Sequence, residues 1–190
     1  KSKIKAKEGL SKGAYPFYTS SKVLSKYVDY YEKQKPYLGE SLIIGTGGSP
    51  SIHYQDEAFY TSTDCFVVYL KESIYLEFET KFIYYYLLGN IHILQKGFKG
   101  AGLKHISKTY INKIEIPKFD LEEQRNYIKQ FDRIQILVNR KKEVNPLFDE
   151  YLTSVFLDIF GDPIINNKKW KELPSITSGS LPPAVQTNVQ

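Results

Sequence analysis

The chain has 190 residues, a hydrophobic fraction of 42% and a net charge of +5 at pH 7, which predict one packed domain, or one domain plus an extension, and exclude a wholly disordered chain. Its one cysteine, Cys65, excludes a disulfide framework within the chain, so we expect a reducing, cytoplasmic setting. No apolar run approaches the roughly 20 residues of a membrane-spanning helix, so no membrane partner is expected.

Short strand-like segments dominate the first part of the chain. Residues 15–19, YPFYT, are aromatic and favour an extended backbone, and the apolar residues 42–44 lead into a glycine turn. Two further short strands are predicted in SIHYQ and AFYTS. The run CFVVYLK has the strongest strand pattern, and we expect Cys65 to be an inert core residue there.

The period then changes to that of a helix. In TKFIYYYLLGN the apolar residues fall on one helical face, with Thr80 as the predicted N-cap and Gly89 as the predicted stop. Further on, Ile111, Ile114 and Ile116 alternate before Pro117, which predicts a strand that closes the domain.

A long helical pattern starts at Leu121, with Asp120 as the predicted cap and acidic residues in the first turn. About forty residues would span about 60 Å, so we expect the helix to project or to pair with another helix. Asn145–Pro146 indicates a restart or a kink, and Gly161 a stop. Two amphipathic helices packed on one core are the alternative. The apolar stripe comprises Leu121, Ile128, Phe131, Ile134, Val138, Phe148, Leu152, Val155, Phe156 and Ile159.

Catalytic and cofactor motifs are weak. The glycine turn at residues 45–48 is not followed by repeated βαβ units, as a nucleotide or cofactor fold requires, so close backbone packing is the better interpretation. The three histidines, His53, His92 and His105, have no metal-ligand spacing with the single cysteine. We therefore expect no cofactor, no metal and no enzyme that acts alone.

A basic loop suggests a different function. Lysines, glycines and His105 alternate between residues 96 and 108 without an acidic residue, and residues 15–22 and 45–54 are also polar, aromatic and free of acids. If the three segments converge, lysines would contact phosphates and hydroxyls would reach base edges. A solvated surface loop is the alternative. The candidate contacts are Tyr18, Thr19, Ser20, Lys22, Ser49, Ser51, His53, Tyr54, Lys96, Lys99, Lys104, His105 and Lys108.

The order of these features resembles one family. GAYPFYTSS, SLIIGTGGSPSIHY, FYTSTDCFVVYL, KFIYYYLL, KGFKGAGLKHISKTYINKIEIPKFDLEEQRNYIKQFD and LFDEYLTSVFLDIFGDPIINNKKW follow one another. This ordered set, above all IPKFDLEEQ and FGDPIINNKKW, resembles the DNA-specificity subunit of type I restriction–modification systems. The resemblance extends to about Trp170.

The resemblance implies an α/β (α+β) fold in which a globular target recognition domain at residues 1–119 precedes a long spacer helix at residues 120–161. Such helices pair as an antiparallel coiled coil and hold methyltransferase subunits. It also implies double-stranded DNA and a restriction (translocase/endonuclease) subunit as partners, with catalysis left to the other subunits. Residues 96–107 correspond to the DNA-facing loop.

The chain departs from the family pattern in carrying one recognition domain where two are usual. Residues 162–190 are expected to be a loop or the start of a truncated second recognition domain. A half-subunit that works as a homodimer and a truncated product are both open. Two functions of other classes also stay open, a divergent methyltransferase fragment that uses S-adenosylmethionine at residues 45–48 and a helical protein-interaction scaffold.

Overall fold

In the computed structural model, the backbone is described for residues 2–160 and the side chains for residues 2–155. The chain divides into two units, Lys1–Ile136 and Leu137–Gln190. The strands are β1 (Tyr15–Tyr18), β2 (Tyr27–Val28), β3 (Ser41–Gly45), β4 (Ile52–Gln55), β5 (Tyr60–Thr61), β6 (Cys65–Val68), β7 (Phe98–Lys99) and β8 (His105–Ile106). The helices are α1 (Thr80–Gly89), α2 (Ile91–Lys96), α3 (Lys108–Ile111) and α4 (Leu121–Phe160), with short 3-10 turns at Ala6–Glu8 and Glu72–Ile74.

The strands of the first unit form two small sheets and a hairpin. One sheet has the order β2-β1-β5, with β1 antiparallel to β2 and parallel to β5. The second has the order β4-β3-β6 and is antiparallel throughout. Strands β7 and β8 form the separate hairpin. The predicted mixture of short strands with a few helices is therefore confirmed.

Strand β3 lies at the centre of the core because every one of its residues is buried. Leu42 and Ile44 pack toward α1 and α2, while Ile43 packs with Phe59 and Cys65 on the other side of the sheet. Burial raises the pKa of the Cys65 thiol to about 12, which keeps it protonated and unreactive near neutral pH. Cys65 is thus the core residue that its strand predicted.

Helix α1 begins one residue away from the predicted boundary. Thr80 was expected to cap it, but Thr80 is its first residue and is buried, and Glu79 precedes the helix without a side-chain cap. The Glu79 N–H donates instead to Gln124 Oε1 at 3.0 Å, so a distant side chain satisfies it. The predicted end at Gly89 is confirmed.

The strand predicted from Ile111, Ile114 and Ile116 is wrong. Residues 108–111 form helix α3, because the Ser107 hydroxyl caps it by accepting from the Tyr110 N–H at 3.1 Å. Tyr110 then donates from its hydroxyl to the Ile93 carbonyl at 2.7 Å. The isoleucines do pack against the core, but from a helix and a loop.

Helix α4 begins where predicted, with a reciprocal cap. The Glu123 N–H donates to Asp120 Oδ1 at 2.8 Å, and the Asp120 N–H donates to Glu123 Oε2 at 3.4 Å. Gln124 is fully buried and donates to the carbonyls of Glu77 and Phe119 at 2.7 and 2.8 Å. The cap and the buried amide together fix where the helix leaves the first unit's core.

Helix α4 continues through Pro146 to Phe160, so it does not restart there. The stop predicted at Gly161, and the loop or truncated domain predicted at residues 162–190, lie outside the described residues. Within the described range, no helix is both long enough and apolar enough to span a bilayer.

Candidate nucleic-acid interface

The glycine turn after β3 is joined to the basic segment. Within the basic segment, residues 98–106 form a β-hairpin rather than a free loop, and its second strand also pairs with the glycine turn through a Gly47–His105 bridge. The Gly48 N–H donates to the Lys104 carbonyl at 3.1 Å, and the Ile106 N–H donates to the Thr46 carbonyl at 3.1 Å. Main-chain hydrogen bonds therefore hold the hairpin against the turn.

The segment after β1 meets the same turn from another direction. The Ser51 hydroxyl donates to the Ser20 carbonyl at 3.2 Å, and a ring nitrogen of His53 lies 2.8 Å from the Ser21 carbonyl. A Cβ built on Gly45 would lie 2.9 Å from Ser20 Cα, which real structures do not tolerate. Glycine at residue 45 is therefore required for this close approach.

A fourth segment, the turn between β5 and β6, locks the other two together. The Asp64 carbonyl accepts from the Ser20 hydroxyl and from the Thr46 N–H, both at 2.8 Å. The three acid-free segments therefore do converge. The turn that contains Asp64 joins them, and the sequence did not predict this.

Not every candidate contact residue is exposed. Tyr18 and Ser51 are buried, and Tyr18 packs edge-on against Phe59. Burial raises the pKa of the Tyr18 hydroxyl to about 12. These two side chains support the surface from below, so we do not assign them direct contact with a ligand.

His53 and Tyr54 are half-buried in β4. Burial lowers the pKa of His53 despite its hydrogen bond to Ser21, so the ring is neutral at physiological pH and adds no positive charge. The Tyr54 hydroxyl donates to Glu40 at 3.0 Å, and the Lys81 ammonium lies 5.5 Å from the Tyr54 ring centroid.

The exposed candidates lie at the outer side of the converging segments. Gly100, with φ of +141°, and Gly48, with φ of +81°, supply backbone conformations that other residues rarely adopt. Thr19 and Ser20 are half-buried beside them. The fully exposed candidates there are Lys22, Ser49, Lys99, Lys104 and His105.

Lys96 and Lys108 are exposed but are not brought to the hairpin tip. Lys96 ends α2 and lines a shallow groove with Tyr86 and Tyr110. Lys108 opens α3 and lines a different groove along the edge of β6, beside Lys71. Lys22, Lys99 and Lys104 are therefore the exposed candidate lysines that lie on the converging segments themselves.

The helix stripe divides into two parts. Ile128 packs against the core of its own domain, and the Phe131 ring stacks on Tyr85 with centroids 5.1 Å apart. Leu121 and Val155 are half-buried. The side chains of Phe156 and Ile159 lie outside the described residues. The remaining stripe residues, Ile134, Val138, Phe148 and Leu152, are exposed.

A cluster on α1 fixes the first part of α4. Lys81 Nζ lies 2.9 Å from Asp132 Oδ2, and the Tyr85 hydroxyl donates to Asp132 Oδ1. Burial raises the pKa of Asp132, but the hydrogen bonds from Tyr85 and Lys81 and the charge of Lys81 outweigh it, so the pKa lies below its usual value. This cluster ties the first part of α4 to α1.

A metal centre finds no support in residues 2–155, where no three His, Cys, Asp or Glu side chains are grouped to hold an ion. The histidines named from the sequence lie on separate elements, with His92 in α2 and His105 in β8.

The comparison with protein families is decisive. The family model of the type I restriction modification DNA specificity domain matches residues 1–145. The chain belongs to this family. Among curated proteins, no sequence match was found.

Solved structures of specificity subunits have the same fold. The S subunit of a type I restriction-modification system from M. genitalium aligns with a TM-score of 0.57 and 19% identity, over 80% of this chain and 41% of that chain. A chain from a structure on complex assembly and conformational transition of the type I R-M system aligns at 0.55 and 18%, over 79% of this chain and 38% of that chain. This chain thus spans about two fifths of those relatives.

Sequence reasoning missed Asp64 and Gln124. Gln124 lies within IPKFDLEEQ, the motif that carried the resemblance to the specificity-domain family, but nothing in its spacing shows that it is buried. Asp64 lies outside the three acid-free segments, directly before the strand-like run CFVVYLK. Its link to Ser20 joins residues 44 positions apart, and no local pattern signals such a contact.

Proposed function

We propose that this chain is a sequence-specific DNA-binding specificity subunit, or half-subunit, of a type I restriction–modification complex. The observation that carries the proposal is the convergence of four chain segments, tied by main-chain hydrogen bonds, on one surface with exposed lysines and hydroxyls. The segments are residues 18–22, 45–54, 63–64 and 98–106.

The surface has the properties that duplex recognition requires. Lysines gain affinity by neutralising phosphates, whereas short polar side chains such as Ser49 reach base edges. The main-chain ties hold both kinds of contact in a defined register, because neither the hairpin nor the glycine turn moves without breaking hydrogen bonds to the other. The matched family supports DNA as the partner.

The role we propose is recognition without catalysis and without a cofactor in this subunit. Methylation and cleavage would belong to methyltransferase and endonuclease subunits that this chain directs to a site. The exposed apolar side chains of α4, for example Phe148 and Leu152, support helix pairing with a second copy or with a second half-subunit.

A methyltransferase with its cofactor at residues 45–48 is less well supported. The inner face of Gly45 is filled by Ser20 and Ser51, with a built Cβ only 2.3 Å from Ser51 Oγ. The glycine there serves close packing of the chain on itself. Calorimetry with S-adenosylmethionine tests the alternative, since tight binding by this chain alone would favour it.

The test of DNA binding is its salt dependence in a Lys99→Ala/Lys104→Ala variant. The logarithm of affinity falls with the logarithm of salt by about 0.9 per neutralised phosphate. Loss of two phosphate contacts should therefore reduce the slope by about 2 and weaken binding to all duplexes alike. The matched control is Lys33→Ala/Lys35→Ala, which removes the same charge from exposed lysines of another turn.

Two results would reject the proposal. One is the absence of binding to any duplex at low salt, both alone and with methyltransferase subunits. The other is an equal loss in the control pair, which would show that net charge alone, and not this surface, attracts DNA. If a chain cut after Ile136, which keeps Gln124 and the other core contacts of α4, retains its DNA binding and loses only self-association, a pure scaffold is excluded.

A further inference from the structure

Asp64 is an acidic residue on one of the four segments that form the proposed interface. Its carbonyl accepts from Ser20 and Thr46, both at 2.8 Å, and its N–H donates to the Ser62 hydroxyl at 3.2 Å. Three hydrogen bonds therefore fix its backbone, and none of them uses the carboxylate. The side chain is exposed at a fixed point of the surface.

The Asp64 carboxylate makes few contacts within the chain itself. Its Oδ1 accepts from the neighbouring Thr63 hydroxyl at a long 3.4 Å. Among the residues whose side chains are described, no lysine, arginine or histidine lies within 4.0 Å to form an ion pair with it. A carboxylate without a cation is repelled by the phosphates of bound DNA, because both are negatively charged. If Asp64 contributes to DNA binding, it must therefore accept a hydrogen bond from a donor group on the DNA.

Base edges narrow the choice of donor. An ionised carboxylate only accepts hydrogen bonds, and in the major groove only cytosine N4 and adenine N6 donate. Adenine presents its N7 acceptor next to N6, which repels a carboxylate oxygen, whereas cytosine has no acceptor on that edge. The minor groove offers guanine N2, but its width of about 6 Å brings phosphates closer to the acid than the major groove, about 12 Å wide, does.

We propose that Asp64 is a specificity-determining residue that accepts a hydrogen bond from the N4 amino group of a cytosine in the major groove. This inference rests on the proposed DNA-binding function and assigns one base pair of the recognition site to one side chain. The lysines on the other segments of the surface would supply affinity for any sequence, and Asp64 would reject pairs that place an acceptor or a methyl group opposite it.

The experiment is selection from a randomised duplex library with the full chain, in parallel for the wild type, Asp64→Ala and Asp64→Asn. The wild type should select a motif that contains a required C·G pair. Asp64→Ala should lose the preference at that pair alone, with a drop in discrimination of roughly ten- to a hundredfold. Its affinity for unrelated duplexes should stay equal or rise, because a repulsive charge is removed.

Asp64→Asn is expected to change the preferred base, and not only to lose the preference for cytosine. Asparagine pairs with adenine through N6 and N7, so the preference at the same position should move from cytosine toward adenine. Asp56→Asn is the matched control, since it removes the same charge from another exposed aspartate and should leave the selected motif unchanged. Replacing the paired guanine by inosine, which removes only the minor-groove amino group, should leave wild-type affinity unchanged.

The failures of the two proposals are distinguishable. A wild type that binds no duplex overturns both. If Asp64→Ala selects the same motif as the wild type, with the same base preference at each position, the role of Asp64 is overturned and DNA binding is left intact. Sensitivity to inosine would overturn the major-groove contact. Thermal unfolding of both variants close to that of the wild type shows that any change comes from the removed side chain.

Discussion

Replacement of Gly45 by alanine tests the closest approach in the proposed interface. A Cβ on this buried residue of β3 would lie 2.3 Å from Ser51 Oγ, 2.9 Å from Ser20 Cα and 3.2 Å from Ser20 Cβ. The hydroxyl of Ser51 can rotate away, but it then loses its hydrogen bond to Ser20. The backbone at Ser20 has no such freedom and has to shift.

The expected cost follows from these contacts. Overpacking costs about 1–3 kcal/mol and the lost hydrogen bond about 1 kcal/mol, while the lower chain entropy of alanine offsets about 0.5–1 kcal/mol. The net destabilisation is then about 1–3 kcal/mol, or a fall in Tm of about 2–12 °C for a chain of this size. DNA affinity should fall further than stability alone explains, because residues 19–22 are displaced.

Urea and thermal unfolding measure the stability, and fluorescence anisotropy with a labelled duplex measures the binding. Gly89→Ala is the matched control, since a Cβ there meets nothing within 4 Å and alanine suits the last turn of α1. It should leave stability unchanged or raise it. The cost of Gly45→Ala should shrink in a Ser51→Ala background, because one of the two clashing atoms is then absent.

The close approach is refuted if Gly45→Ala unfolds with the midpoint of the wild type and of Gly89→Ala. It is also refuted if Ser51→Ala and Gly45→Ala have strictly additive effects on the free energy of unfolding. Either result would mean that Ser20 and Ser51 do not lie against Gly45. The segment after β1 would then not pack on the glycine turn as described.

Two further predictions concern the attachment of α4. Gln124→Ala should lower the free energy of unfolding in urea by about 2–4 kcal/mol, since it removes a buried amide and leaves backbone groups of Glu79, Glu77 and Phe119 without their hydrogen bonds; a loss below about 0.5 kcal/mol would contradict its burial. Asp132 has a folded pKa below its unfolded value, so its contribution is present above the unfolded pKa and lost as pH falls through the folded one. The Tm of Asp132→Asn should therefore change less than that of the wild type on acidification below about pH 4, and identical profiles would exclude the linkage.

Local signals predicted local structure well. The strand predicted from the apolar run at residues 42–44 and the Asp120 cap depend on residues within four positions of one another, and both are present. Prediction failed where a distant partner decided the outcome. The isoleucines at residues 111, 114 and 116 predicted a strand, yet residues 108–111 form α3, because Ser107 caps the turn and Tyr110 fits against Gly97, where a Cβ would lie 2.3 Å from the ring.

The candidate site shows the same division. The sequence indicated a surface of lysines and hydroxyls from its acid-free segments, and Lys99, Lys104 and Ser49 are exposed as expected. It also included Tyr18 and Ser51, which are buried, because amino-acid type does not reveal which face of a strand a residue occupies once its neighbours pack on both sides.

By itself, the sequence determined the family and the start of the long helix, since the first depends on ordered motifs and the second on side chains one helical turn apart. Only the tertiary structure decided that Asp64 links Ser20 to Thr46 and that Gln124 closes the base of α4. Both are hydrogen bonds between groups more than fifteen residues apart. Such contacts depend on how sheets and helices pack in space, and the periodicity of residues along the chain does not predict them.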